Sequence, residues 1–386
     1  MEMTKTKILV LHTHIGYGIK MTAEAVAEKL QKSNKYEVRI EDVEDMEKGI
    51  LTSIIQKTYF TIISRISNLW GFLYDSSLVL GLTMPLRKFI ASFKSKHILQ
   101  ILRQFQPAVV ISTQTIPSGI VAYLKSKGWY RGKLVIVFSD YHLQRFWLYQ
   151  EADLYVCNIP EQMDELKKLG IPEEKMVLTG TIVRDKFFQR LSRDEARRNL
   201  GLLISMPVVL VTSGGNVRSS VKEIFLQLLR SPKNFQIAVV CGNNQALKQD
   251  LEKISSPDRH PVKLFGYIEN MDVIMSAADV LVGKTGGPTM AEAVVKNLPM
   301  VLTDVRPGHE LANLDYLVRH SIVQYARIPR EAVFLVEEIL ANPARYQNQS
   351  ALKKIVSPPG ATDITTALQR LDPINQQLSV KNYQQI

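Results

Sequence analysis

Residues 278–313 read ADVLVGKTGGPTMAEAVVKNLPMVLTDVRPGHELAN, and the punctuation of this stretch decides the fold. Val280-Leu281-Val282 is a short apolar run bounded by a glycine, the pattern of a strand buried on both faces. Gly283, Gly286, Gly287 and Pro288 then break the chain. Met290, Ala291, Ala293, Val294 and Val295 supply the apolar residues of a helix, and Met300-Val301-Leu302 is a second buried strand. Strand, glycine turn, helix and strand make a βαβ unit. Its helix starts just after the glycines, so free backbone N–H groups and the helix dipole favour an anion such as a phosphate there. Glu292 lies in the first turns of that helix, and Pro307-Gly308-His309-Glu310 with Asn313 follow the next strand. Polar groups therefore gather at the carboxyl ends of two strands, where open α/β sheets bind ligands.

The same rhythm runs outward in both directions. Residues 7–12 (KILVLH) read as a first strand, His14 to Gly18 as a turn, 20–30 as a helix and 36–40 as a second strand. Alternation resumes with strands at 108–112, 134–138, 154–157 and 176–179, separated by helices at 116–127 and 160–169. A charged connecting helix over 193–200 and a hinge over 202–207 lead to a restart, PVVLVTSGG, whose strand ends at Gly214-Gly215-Asn216. Strands at 235–241 and 262–265 and helices at 245–254, 308–319, 330–341 and 344–355 complete that half. The expected fold class is α/β: two Rossmann-like βαβ domains facing across a cleft. The expected domains are residues 1–200, residues 201–357, and a tail, 358–386, whose helix packs back on the first domain and whose last dozen residues fray.

Length and composition set the bounds. A chain of 386 residues suits two or three domains. Cys157 and Cys241 each sit in an apolar run, which suits buried reduced thiols in a reducing compartment. The N-terminus reads as a strand and not as a signal peptide, and no uncharged apolar run reaches the roughly 18–20 residues that span a bilayer. The formal net charge is +11. Between Lys57 and Arg145, twelve Lys or Arg stand against two acids, Asp75 and Asp140. Aromatic residues from Tyr59 to Tyr74, Trp70 among them, interleave with part of this basic run. Ring burial with flanking cations suits an anionic membrane surface; a solvated basic face and an apolar core are the plainer readings of the same residues.

Several segments together resemble a known family. They are IGYGIK (15–20), SDYHLQRFW (139–147) with ADLYVC after it, VLTGTIVRDKF (177–187), VTSGGN (211–216), FGYIENMDVIMSAADVLVGKTGGPTMAEA (265–293) and PGHELAN (307–313). The chain resembles GT-B glycosyltransferases of the family 28 type. That branch holds monogalactosyldiacylglycerol synthases, processive diacylglycerol glucosyltransferases and the N-acetylglucosaminyl transferase of peptidoglycan lipid intermediates. The resemblance implies a UDP-sugar as co-substrate, with no cofactor and no catalytic metal. Ser213, Gly214, Gly215 and Asn216 would approach the diphosphate, and Tyr267 and Ile268 the base. The pattern KxGGxTxxEA stands here as Lys284, Gly286, Gly287, Thr289, Glu292 and Ala293. By analogy Gly287 to Thr289 donate to phosphate and Glu292 accepts the ribose hydroxyls, a task that paired carboxylate oxygens suit. His309, Glu310 and Asn313 would face the sugar. His309 replaces a Gln of the relatives, so the hexose stays open.

The first domain would take the acceptor, diacylglycerol in the lipid branch, with Gly16, Gly18, Trp70 and Trp147 on the acceptor and membrane side. The implied reaction is inverting transfer of a hexose by a protein bound peripherally at the cytoplasmic membrane face. Two family histidines are absent: the chain has Ile19 and Gln144 instead. A proton must still leave the acceptor hydroxyl, and the candidates are His14, Asp140 and His142. Two other readings stay open on the sequence: a non-catalytic nucleotide-sugar-binding relative, and a transferase acting on an isoprenoid-linked cell-wall intermediate. Nothing matches a nucleic-acid-binding motif, and no nucleic-acid partner is expected.

Overall fold

The computed structural model describes residues 5–13, 17–43, 95–212, 220–284, 286–305, 309–347 and 349–371. His14, Gly16, Trp70, Ser213 to Asn216, the aromatic run 59–74 and the final residues lie outside them, as does the side chain of His309.

The chain forms two compact units. One is Met1–Arg184 with Pro307–His309 and Ser357–Ile386; the other is Asp185–Arg306 with Glu310–Val356. The first is built on β1 (Thr6–His12), β2 (Tyr36–Asp42), β3 (Val109–Ser112), β4 (Lys133–Val137), β5 (Leu154–Cys157) and β6 (Met176–Leu178). Their order is β2-β1-β3-β4-β5-β6, and every pairing is parallel. β3, β4 and β5 are apolar along nearly their whole length because helices cover both faces of the sheet. Alternation sorts the side chains. Leu9 and Leu11 point into one core with Ile120, Leu124 and Tyr155. Ile8 and Val10 point into the other, against Val26 and Leu30 of α1 (Tyr17–Gln31).

That second core also holds the C-terminal segment. A helix over Ile364–Gln369 is capped by Asp363, whose carboxylate accepts from Thr365 N at 2.8 Å. Ile364, Ala367, Leu368 and Leu371 join the α1 cluster, and Tyr36 donates its hydroxyl to Thr365 O. Burial of Leu368 alone stabilises this contact by about 1.5–3 kcal/mol.

The second unit carries β7 (Val208–Thr212), β8 (Gln236–Val240), β9 (Val262–Phe265), β10 (Val280–Gly283), β11 (Met300–Leu302) and β12 (Gln324–Tyr325). The order is β12-β11-β10-β7-β8-β9, again parallel throughout. Both sheets reverse direction once, between β1 and β3 in the first and between β7 and β10 in the second. Each reversal opens a crevice at the carboxyl ends of the strands.

The opposite, amino end of β7 and β10 is held by a buried ion pair. Ser192 caps the helix Arg193–Asn199 by accepting from Glu195 N at 3.2 Å. Arg197 on that helix is buried. It donates to Ala277 O at 3.1 Å, to Ile204 O at 2.6 Å and to Asp279, whose carboxylate also takes Val208 N at 2.7 Å. Burial pulls the Arg197 guanidinium below its ordinary value while Asp279 pulls it back up.

Candidate functional site

The carboxyl ends of β7, β10 and β11 lie in register, with Gly283 beside Thr212 on one side and Leu302 on the other. Gly283 has φ +143°, and a Cβ there would sit 2.4 Å from Thr212 O. Only glycine allows these two strand ends to approach so closely. The hydroxyls of Thr212 and Thr303 flank Gly283. Both are buried and neither has a hydrogen-bond partner among the described residues. A buried hydroxyl left so costs about 1–3 kcal/mol, which marks this end of the sheet as one arranged for something other than packing.

A nine-residue helix, α2 (Gly287–Val295), rises from the turn after β10. Gly286 is its N-cap, exposed, with open space where a Cβ would stand, and no side chain caps the helix. Pro288 fits the first turn, where its missing N–H is not needed. Gly287 is buried and Thr289 half-buried. Glu292, one turn further on, is only 5 % exposed. A solvated helix acid would be far more open.

Helix α3 (His309–Arg319) follows β11. Its first turn holds Glu310, whose carboxylate meets Lys284 Nζ at 2.6 Å; the two side chains are 19 % and 15 % exposed. Two residues of separate motifs are thus joined from neighbouring βα turns. An acid in the first turn also suits the helix dipole. Asn313, one turn on, is buried. Tyr267 and Ile268 lie just beyond β9, with Tyr267 nearly half exposed and Ile268 half-buried. β9 is two strand spacings from β7, about 10 Å, and three from β10.

In the first unit the expected residues after β4 form a hydrogen-bonded chain. Gln144 donates Nε2 to Asp140 Oδ2 at 3.2 Å and accepts from Trp147 Nε1 at 3.3 Å. Asn158 and Gln162 hold the backbone oxygen of Asp140 at 3.0 and 2.8 Å. Asp140, half-buried His142, Gln144 and Trp147 line one narrow crevice. Gln144 uses both ends of its amide here, and unlike a histidine it stays neutral at every pH. Trp147, expected on the acceptor and membrane side, is 6 % exposed and packs edge-on against Phe138 with centroids 5.9 Å apart. It is a core residue of this crevice. Gly18 is half-buried in the first turn of α1, where its carbonyl takes the Thr22 hydroxyl at 3.1 Å. The carbonyl of Ile19 accepts from Thr113 Oγ1 at 3.2 Å.

Two residues not singled out in the sequence lie at the ends of β1 and β2. His12 is 4 % exposed, and its Nδ1 is 3.7 Å from Asp42 Oδ2. Two parallel strands of seven residues each, paired from their first residues, end side by side, a register that the sequence alone does not announce. The basic run also changes meaning in part. Lys125 and Lys133 both pair with Asp153, just outside the segment that looked so unbalanced. Among the described residues no group of three or more His, Cys, Asp or Glu could hold a metal, and no helix is long and apolar enough to cross a membrane.

Comparison with known proteins places both halves. Residues 20–183 match the family model of monogalactosyldiacylglycerol synthase, and residues 208–355 match the glycosyltransferase family 28 C-terminal domain. A processive diacylglycerol beta-glucosyltransferase of Bacillus cereus is 26 % identical over 371 residues, covering 94 % of this chain and 93 % of its own. Among solved structures, MurG of Acinetobacter baumannii superposes with a TM-score of 0.58 at 14 % identity, covering 95 % of this chain and 99 % of its own. HepE of Anabaena in complex with UDP-glucose superposes with a TM-score of 0.55 at 14 % identity, covering 95 % and 98 %. Two Rossmann-like domains of the GT-B class are therefore the fold, as the sequence led one to expect.

Proposed function

We propose, for a chain that joins a monogalactosyldiacylglycerol synthase domain to a family 28 C-terminal domain, that it moves a hexose from a UDP-sugar to diacylglycerol. The observation that carries this reading is the end of β7 and β10. A glycine-forced close approach, two buried hydroxyls and a helix start without a side-chain cap lie there, with a buried carboxylate one turn away. The backbone N–H groups of Gly287 and Thr289 and the Thr289 hydroxyl suit the diphosphate. Glu292 suits a vicinal diol such as that of ribose, and Tyr267 and Ile268 take the base. Ser213 to Asn216 complete the phosphate contact, and His309, Glu310 and Asn313 read the sugar. Lys284, already paired with Glu310, lends the diphosphate a charge shared between two partners.

The acceptor belongs to the first unit, and the B. cereus relative, named for diacylglycerol, supports a glycerolipid there. The reaction is inverting, needs no resident metal, and takes place on a membrane to which the protein binds peripherally from the cytoplasm. A direct test incubates the purified chain with UDP-glucose or UDP-galactose and dioleoylglycerol in anionic vesicles, with and without a chelator, and identifies the lipid product by mass spectrometry. A hexosyl-diacylglycerol of inverted anomeric configuration, formed equally with chelator, is the expected result. UDP binding without product from either donor would favour instead a non-catalytic relative, the reading that Ile19 and Gln144 support.

A further inference from the structure

We infer that His12 takes the proton from the acceptor hydroxyl, with Asp42 as the residue that orients it; the inference rests on the transferase reading above. β1 and β2 pair in parallel from Thr6↔Tyr36 to His12↔Asp42, so the two side chains end the strands together on one face. Ile8 and Val10 precede His12 on that face, both fully buried in the core beneath α1. The imidazole is thus the polar end of an apolar row. It is held at the carboxyl end of the sheet, beside the β1/β3 reversal where the ligand crevice of such a fold opens. Nδ1 is buried, has no hydrogen-bond partner among the described residues, and faces Asp42 Oδ2 at 3.7 Å. The exposure that the side chain retains, 6 %, belongs to the rest of it. Thr13, next in the chain, also has a buried hydroxyl without a partner among the described residues.

Chemistry supports the same assignment. Imidazole is the side chain whose ordinary range lies nearest neutrality. A carboxylate on Nδ1–H fixes the tautomer that leaves a lone pair on Nε2, and it stabilises the imidazolium that forms. Catalytic hydrogen bonds commonly tighten when substrate binds, so 3.7 Å suits a pair that closes in the working complex. Of the candidates from the sequence, Asp140 already receives the Gln144 amide, and Ile19, which stands in place of a family histidine, cannot move a proton. In the step, the acceptor O–H gives its proton to Nε2 as its oxygen bonds the anomeric carbon. The bond from that carbon to the diphosphate oxygen breaks, and its electron pair leaves with UDP. Asp42 is the charged group within ion-pair distance of His12 among the described residues. On α1, Lys20 and Glu24 pair with each other and Glu24 with Arg184; Asp363 caps its own helix; β3 ends there in Ser112.

The test measures UDP release by the full chain from UDP-glucose and UDP-galactose with dioleoylglycerol vesicles across the neutral pH range, and UDP affinity by calorimetry. His12→Gln is expected to lower kcat about 10²–10⁴-fold with UDP affinity within about twofold of wild type. Asp42→Asn is expected to lower kcat and to move the acid limb of the pH–rate profile to lower pH, because losing the carboxylate charge disfavours the imidazolium. Should His12→Gln fail to fold, the Asp42→Asn profile decides by itself. Near wild-type kcat in His12→Gln, or an Asp42→Asn profile that superposes on wild type, overturns the role of His12 and leaves the transferase reading standing. Wild-type protein that binds UDP and turns over neither donor overturns both.

Discussion

The carboxyl ends of the two sheets are built on one plan and furnished differently. In the second unit the work falls to the backbone. Gly283 lets two strands close up, Gly286 starts a helix without a side-chain cap, and the carboxylate of Glu292 is buried one turn behind. In the first unit the corresponding strand ends carry side-chain chemistry: His12 against Asp42, and Asp140 held by Gln144. Backbone recognition needs glycine at fixed places and tolerates little change. Proton chemistry needs only a titratable group within reach, so it can move from one residue to another while the fold stays the same.

The comparison breaks most visibly at Gly283. Gly283→Ala forces a Cβ against the Thr212 carbonyl at a φ that L residues rarely adopt. It should destabilise the second unit by about 3–5 kcal/mol, read as an early loss of one transition in urea unfolding. Gln144→Leu comes next. It strips Asp140 and the indole of Trp147 of their shared partner and should cost about 2–4 kcal/mol in the first unit; if the amide were incidental, the unfolding curve would not move. Glu292→Ala should weaken UDP affinity about 10–100-fold, the worth of hydrogen bonds to a charged group, without an unfolding shift of similar size. The smallest effect is in pH. Burial pushes the Tyr155 hydroxyl up to about 12, although the Tyr149 backbone N–H that donates to its oxygen at 2.9 Å pulls the other way. The folded state therefore keeps a proton that the unfolded chain releases near pH 10, so stability falls as pH rises from there through about 12. Tyr155→Phe should flatten that limb by about 1–2 kcal/mol; an unchanged slope would assign the loss to other groups.

Much of this was legible in the sequence. The apolar runs of β7, β8 and β10 and the glycines after them specify strand, turn and helix by local rules that survive folding. Helix Met271–Ala277 escaped because seven residues of mixed character show no clear period, and β12 because two residues show none at all. The helix expected over 344–355 is two pieces, Pro343–Tyr346 and Gln349–Ile355, since Gln347 takes extended backbone with ψ 113°. What stayed hidden was long-range. Arg197 looked like one charge of a connector, yet it is buried on Asp279, 82 residues away in sequence. Asp42 looked like one of several acids after a strand, until the β1–β2 register set it beside His12. Sequence patterning reports a residue's own backbone state, and a polar partner reached across a sheet leaves no periodic trace.

UDP titration calorimetry on wild type, Glu292→Ala and His12→Gln tests most directly the proposed division of labour between Glu292 and His12. Wild type and His12→Gln should bind UDP alike, and Glu292→Ala about 10–100-fold more weakly. Equal affinity in all three would contradict the placement of the nucleotide beside Glu292.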